Sequence, residues 1–277
     1  MKIPVFKPFF VLLRSSIERN KEMRPLILIS NDDGVRAKGI HELADVLSAL
    51  GDVVVMAPDR ARSGAGCSIT AHDPVRFHVL SVKPGLKVCS CSGMPVDCVK
   101  LALEKVVDRR PDLVVGGINH GDNSSVNVHY SGTMGIVLEG CMKGIPSVGF
   151  SLCDFDADAD FSATRTYIRS IAERVLCDGL PAGVCLNVNF PRNEGDGYAG
   201  LKVCRMARGM WSNEWVEATH PRGGEYFWLT GSYRNEEPED ETTDAWALAH
   251  NYVAVTPVQV DMTAEQAVRD LKRWESL

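Results

Sequence analysis

The sequence predicts an α/β protein, a doubly wound and mostly parallel sheet that continues into a C-terminal arm of β-hairpins and a helix. Three observations carry this expectation. Short apolar runs such as Leu26-Ile27-Leu28-Ile29 and Val53-Val54-Val55-Met56 show no polar alternation, the pattern of strands buried on both faces. Segments with apolar residues at helical spacing separate these runs, and after Pro191 the alternation gives way to glycine, aromatic and charged residues.

The first strand is read over Arg24 to Ser30 and is ended by Asn31-Asp32-Asp33-Gly34. From Gly39 to Leu50 the residues Ile40, Leu43, Ala44, Leu47 and Leu50 fall on one helical face, and Gly51 stops the run as a C-terminal glycine does. Asp52 to Pro58 is a second buried strand, and a crossover of this kind is right-handed and leaves its two strands parallel. Cys89 and Cys91 lie on a further strand before a helix over Val96 to Asp108. A strand at Asp112 to Val115, a helix over Ser131 to Lys143, a strand at Pro146 to Phe150, a helix over Ser162 to Asp178 and a strand at Gly183 to Asn189 complete the core. Residues 201–235 read as hairpins, Asn235 to Thr243 as an acidic loop, Tyr252 to Val260 as a last strand and Thr263 to Ser276 as a helix. The expected division is a catalytic core over 23–200 and an arm over 201–277, where subunit contacts are expected. Residues 1–22 read as a poorly ordered upstream extension: Phe9 to Leu13 is apolar but follows Pro8 and leads into a charged stretch, and Met23 stands directly before the first strand.

At 277 residues the chain buries a full core without disulfide staples. Its 30 basic and 36 acidic residues leave a net charge of -6, which argues against a surface built for stable nucleic-acid binding. No run approaches the ~20 apolar residues of a membrane span. The nine cysteines have no zinc-like or redox spacing, so they read as reduced thiols of a cytoplasmic protein.

In an open α/β sheet, ligands bind beyond the carboxyl ends of the strands. Asp32 and Asp33 follow the first strand, Asp59-Arg60-Ala61-Arg62-Ser63-Gly64 the second, and Gly116 to Asn123 the strand that ends at Val115. Adjacent carboxylates concentrate charge that a cation or several donors must offset. Aspartate, serine and asparagine oxygens suit magnesium or manganese, whereas zinc favours histidine and cysteine. Asp32 and Asp33 equally suit a helix cap. Tyr130-Ser131-Gly132-Thr133-Met134-Gly135 opens a helix whose N–H groups and hydroxyls suit a phosphate, and an ordinary N-cap is the competing reading. The carboxylate pair and the helix start at one sheet edge suggest metal-assisted phosphoryl transfer with water as nucleophile. Neither a P-loop nor a Gly-x-Ser-x-Gly elbow is present. His120 and His129 are candidates for a general acid, His72 and Arg76 for contacts to base or sugar, and Arg60 and Arg62 read equally as partners of surface ion pairs.

Taken in order, Ile29-Ser30-Asn31-Asp32-Asp33-Gly34, Ala57-Pro58-Asp59-Arg60 with Ser63-Gly64, Pro95-Val96-Asp97-Cys98-Val99, Gly117-Ile118-Asn119-x-Gly121-x-Asn123 and Tyr130 to Gly135 leading to Glu139-Gly140 closely resemble the SurE survival-protein family of 5'/3'-nucleotidases. The resemblance spans roughly residues 24–190. It implies a Rossmann-like core, a divalent metal held by Asp32, Asp33, Ser63 and Asn119, and a substrate phosphate near Asn123, Ser131, Gly132 and Thr133. With Asp32 and Asp33 as the catalytic carboxylates, it implies hydrolysis of nucleoside 5'- and 3'-monophosphates to nucleoside and phosphate, in a homodimer or homotetramer with exchanged arms. This sequence departs from the family pattern at Met94, Gly116, Ser125 and Asn127, none of them a metal ligand in this reading. Two alternatives stand beside it. One is a non-catalytic nucleotide-binding sensor that signals through the arm; the other is a metal-dependent nucleotide-sugar transferase.

Overall fold

In a computed structural model, which describes residues 23–192 and 194–277, the first strand β1 (Leu26–Ser30) is buried at every position. The extension expected over 1–22 lies outside the described residues. The core strands that follow are β2 (Asp52–Pro58), β3 (Phe77–Lys83), β4 (Leu86–Cys91), β5 (Leu113–His120), β6 (Ser147–Leu152), β7 (Val184–Phe190) and β8 (Gly200–Val203). The arm carries β9 (Gly209–Ser212), β10 (Trp215–Thr219), β11 (Glu225–Leu229) and β12 (Ser232–Asn235), and β13 (Tyr252–Gln259) returns to the core. The helices are α1 (Lys38–Ser48), α2 (Pro95–Lys105), α3 (Gly132–Met142), α4 (Thr164–Asp178), α5 (Asp244–Ala249) and α6 (Glu265–Leu271).

The nine-stranded sheet has the order β3-β4-β2-β1-β5-β6-β7-β13-β8. β1 pairs in parallel with β2 through Ile27 and Val53 and with β5 through Ile29 and Val115. Alternate residues therefore point to opposite faces. Ile27, Ile29, Val53 and Val55 pack in one cluster with α1 and α4 residues such as Leu43 and Ile168. Leu28, Val54 and Met56 pack in a second with Cys98 and Ile136 from α2 and α3. Apolar side chains on both faces explain why these strands lack polar alternation. The chain winds outward from β1 in both directions, so the crevice beyond β1 and β5 is a topological switch point.

The sheet is α/β and mostly parallel, as expected, with antiparallel pairs only at β3·β4 and β13·β7. Five details differ from the sequence expectations. β3 is an additional strand. β5 runs on from Val115 to His120, so Gly116 to His120 are strand and not loop, with an irregular register between Gly116 and Asn119 where β5 meets β6. α5 is an additional short helix, and the C-terminal helix is a short α6 followed by a 3-10 turn over Lys272–Ser276. The sheet also crosses the expected boundary at residue 200. β8 and β13 pair with each other and β13 with β7, so the projecting part of the arm is the pair of ladders β9·β12 and β10·β11.

Candidate active site

The loop beyond β1 is closed by its own side chain: Asn31 Nδ2 donates to Gly34 O at 3.0 Å, and Gly34 N–H donates to Asn31 Oδ1 at 3.2 Å. This tight turn holds Asp32 and Asp33 at the strand tip. The loop beyond β2 is tied to it through Arg62 N–H, which donates to Asp32 O at 2.6 Å. Ser63 is thereby brought to the same edge.

Asp32 is buried, with 5% of its surface exposed. Thr133 Oγ1 donates to its Oδ1 at 2.8 Å. The start of α3 presses so close that a Cβ on Gly132 would lie 2.7 Å from Asp32 Cβ. Burial, and then the neighbouring charge of Asp33, push the Asp32 carboxyl up to about 6, against the opposing pull of Thr133 and of backbone N–H donors including Gly132. Burial also raises Asp33, and there the opposing donor is His120 N–H, 3.1 Å from Oδ2. The carboxylate pair is thus under-compensated by the protein alone.

The extension of β5 places Asn119 beside this pair. Its Nδ2 donates to Gly121 O at 2.8 Å, which orients the amide and leaves Oδ1 without a protein donor among the described residues. His120 Nδ1 meets Asp156 O at 2.8 Å. Because a carbonyl only accepts, Nδ1 is the donor in this contact.

A cavity of about 490 Å³ opens here, and Asp32, Ser63, Asn119, Asn123 and Ser131 are among the residues that line it. Ser131 is the N-cap of α3, its Oγ accepting from Met134 N–H at 3.0 Å. Asn123 is fixed by a ladder of amides: its N–H donates to Asn189 Oδ1 at 2.9 Å, its carbonyl accepts from Asn187 Nδ2 at 2.8 Å, and its Nδ2 donates to Ser151 Oγ at 2.7 Å. Asp32, the adjacent Asp33 and these neutral oxygens form a hard donor set, and no group of three His, Cys, Asp or Glu residues that could hold a metal ion occurs among the described residues.

Asp33, Gly132 and Thr133 do not line the cavity. Thr133 is fully buried with its hydroxyl donated to Asp32. His72, Arg76 and His129 also lie off the wall, while His120 is on it. The lining also includes Asn127 of the 3-10 turn Ser125–His129 and four arm residues that the sequence did not single out, Trp211, Glu214, Leu229 and Thr230. Their separation from the asparagine segment in the chain left no local signal.

The chain matches the family model described as survival protein SurE over residues 27–213. It is 59% identical over 254 residues to a protein named 5'-nucleotidase SurE from Phocaeicola vulgatus, covering 92% of this chain and 98% of that protein. A protein of the same name from Bacteroides fragilis is 56% identical over 91% of this chain and 98% of its own length. Among solved structures, the SurE protein from Aquifex aeolicus superposes with a TM-score of 0.78 at 33% identity, over 91% of this chain and 100% of that one.

Proposed function

The chain belongs to the survival protein SurE family, and from that premise we propose that it is a 5'-nucleotidase, a divalent-metal-dependent phosphomonoesterase that hydrolyses nucleoside 5'- and 3'-monophosphates to nucleoside and phosphate. The observation that carries this reading is the buried Asp32, raised by burial and by the adjacent Asp33, on the wall of a cavity that Ser63, Asn119, Asn123 and Ser131 also line.

The donor set fits a hard divalent cation, magnesium or manganese. Asp32, Asp33, Ser63 and Asn119 would hold it, with the uncommitted Asn119 Oδ1 as the amide ligand. When bound, the ion supplies Lewis-acid polarisation of the phosphoryl group and a water of lowered pKa. The rest falls to the chain. Asn31 and Arg62 fix the carboxylate loop, Thr133 orients Asp32, and Ser131 and Asn123 hold the phosphate, Ser131 with a hydroxyl proton that the N-cap bond leaves free. Water oxygen adds to phosphorus as the ester P–O bond breaks, the nucleoside leaves with a proton on its hydroxyl, and orthophosphate remains.

The core over 23–200 carries this chemistry in our reading, and the arm over 201–277 serves assembly into a homodimer or homotetramer. The exposed Trp215, Phe227, Trp228 and Leu229 support a subunit contact. All nine cysteines are free thiols, which supports a cytoplasmic setting. No helix among the described residues is long and apolar enough to cross a membrane.

The test is phosphate release from nucleoside 5'- and 3'-monophosphates with magnesium or manganese, and again after EDTA. Release is expected to need metal and to be lost in Asp33→Asn. Turnover retained by folded Asp33→Asn protein, or AMP bound and returned unhydrolysed by the wild type, overturns the reading.

A further inference from the structure

Trp211 lines the same cavity as Asp32, half-buried, and several contacts fix its indole. Its Nε1–H donates to Asn127 Oδ1 at 2.9 Å. Asn127 is held in turn, its Nδ2 donating to Asp122 Oδ2 at 3.1 Å, while Asp122 Oδ1 accepts from Ser124 N–H at 2.6 Å. Across the β9·β12 ladder the indole meets Tyr233 edge-on, with centroids 5.9 Å apart. Its Cε3 lies 3.2 Å from where Gly231 would carry a Cβ. Tyr233 itself bonds Ser125 Oγ through its hydroxyl. The arm is therefore fastened to the segment after Asn123 through Asn127 and Ser125.

An aromatic ring so restrained, yet still on a cavity wall, presents a preorganised π surface. Charge narrows what it can face. Asp122 and Glu214 line the same cavity and disfavour a second anionic group beside them, which suits an uncharged planar group. The nucleobase of a nucleoside monophosphate, with its phosphate beside Ser131 and Asn123 in the proposed reading, is such a group.

We propose that Trp211 is a specificity-determining residue of this site, the surface on which the nucleobase packs, with Asn127 as the positioning residue that holds it. The inference rests on the nucleotidase reading above and adds the substrate-recognition surface to it. Base–aromatic stacking changes affinity by on the order of tenfold or more per base.

The experiment compares AMP with ribose 5-phosphate, which lacks the base, in wild type, Trp211→Ala, Trp211→Phe and Asn127→Ala, with thermal melts to verify folding. Wild type is expected to favour AMP. In Trp211→Ala the ratio of kcat/KM for AMP to that for ribose 5-phosphate falls about tenfold, mainly through KM for AMP. Trp211→Phe recovers most of the ratio because a ring remains. Asn127→Ala acts on KM for AMP more than on kcat. An unchanged ratio in Trp211→Ala, or equal losses for both substrates, overturns the proposal. Should wild type turn over neither compound with any metal, the nucleotidase reading falls instead. Calorimetric binding of AMP then decides about Trp211: weaker binding in Trp211→Ala supports the wall, and equal binding overturns it.

Discussion

Replacing Asp32 by Asn is expected to stabilise the metal-free protein while abolishing phosphate release. In the fold the Asp32 carboxyl is raised from 3.8 to about 6, first by burial and then by Asp33. A raised carboxyl favours the folded state in its protonated form. That contribution is full below pH 3.8 and is lost as pH rises through about 6. At ~1.36 kcal/mol per pH unit, ionising Asp32 weakens the metal-free fold by ~3 kcal/mol. Asparagine removes the charge in the same shape, but offers one acceptor oxygen where the carboxylate serves both Thr133 and Gly132, which costs ~1 kcal/mol. The net gain is ~2 kcal/mol at pH 8, or about 4–8 °C in Tm for a chain of this size. At pH 4 the gain disappears, because the wild-type carboxyl is then largely protonated. The assay is thermal or urea unfolding in EDTA at the two pH values. Magnesium or manganese reverses the order by stabilising the wild type and not the variant. An Asp32→Asn protein less stable than wild type at pH 8 without metal refutes the claim that the pair is under-compensated.

Three further outcomes follow from particular contacts. Gly132→Ala puts a methyl 2.8 Å from Asp32 Oδ2, so phosphate release should fall by on the order of tenfold or more through misplacement of the carboxylate; full activity refutes the close approach. Ser125 has φ 50°, in the left-handed region, and its hydroxyl donates to Ala207 O at 2.9 Å. Ser125→Gly removes that bond and the one to Tyr233, and although glycine suits the backbone the variant should lose about 1 kcal/mol in urea unfolding. Unchanged or increased stability means that the arm is not fastened there. Phe150 is fully buried and stacks on Phe190 at 6.2 Å, so Phe150→Ala should cost about 3–5 kcal/mol in the same assay.

The central strands were legible because burial on both faces leaves no polar residue to interrupt the run, as in Val53 to Met56. β5 was read short because Gly116-Gly117 looks like a loop. In the sheet, however, Gly116 sits where a Cβ would lie 2.8 Å from Thr133 O, so its lack of a side chain records the packing of α3 against the strand. β3 escaped notice because it is an edge strand with Val79, Leu80 and Val82 exposed, which removes the one-sided alternation by which strands are read. α5, at six residues, is too short for periodicity to register. At the candidate site, the carboxylate pair and the asparagine and serine positions were legible from their places after strands. Trp211 was not, because its bond to Asn127 joins residues 84 apart in sequence.

The placement of α3 alters how the site handles negative charge. A helix start beside a carboxylate pair invites the reading that the helix receives the substrate's phosphate. Here the N-terminal donors of α3 face an anion that belongs to the protein: the Gly132 N–H and the Thr133 hydroxyl both serve Asp32. The helix dipole therefore lowers the cost of keeping Asp32 ionised. It lowers that cost only partly, since burial still leaves the carboxyl raised to about 6. The remaining imbalance favours a cation at the proposed metal site over further hydrogen-bond donors. In the proposed reading, phosphate recognition falls to uncharged groups, the Ser131 hydroxyl and the Asn123 amide, the latter held in place by Asn187, Asn189 and Ser151. It follows that Thr133 acts on the metal rather than on the substrate: its loss should weaken metal binding and affect all phosphomonoesters alike, whereas loss of Trp211 should separate them by their base.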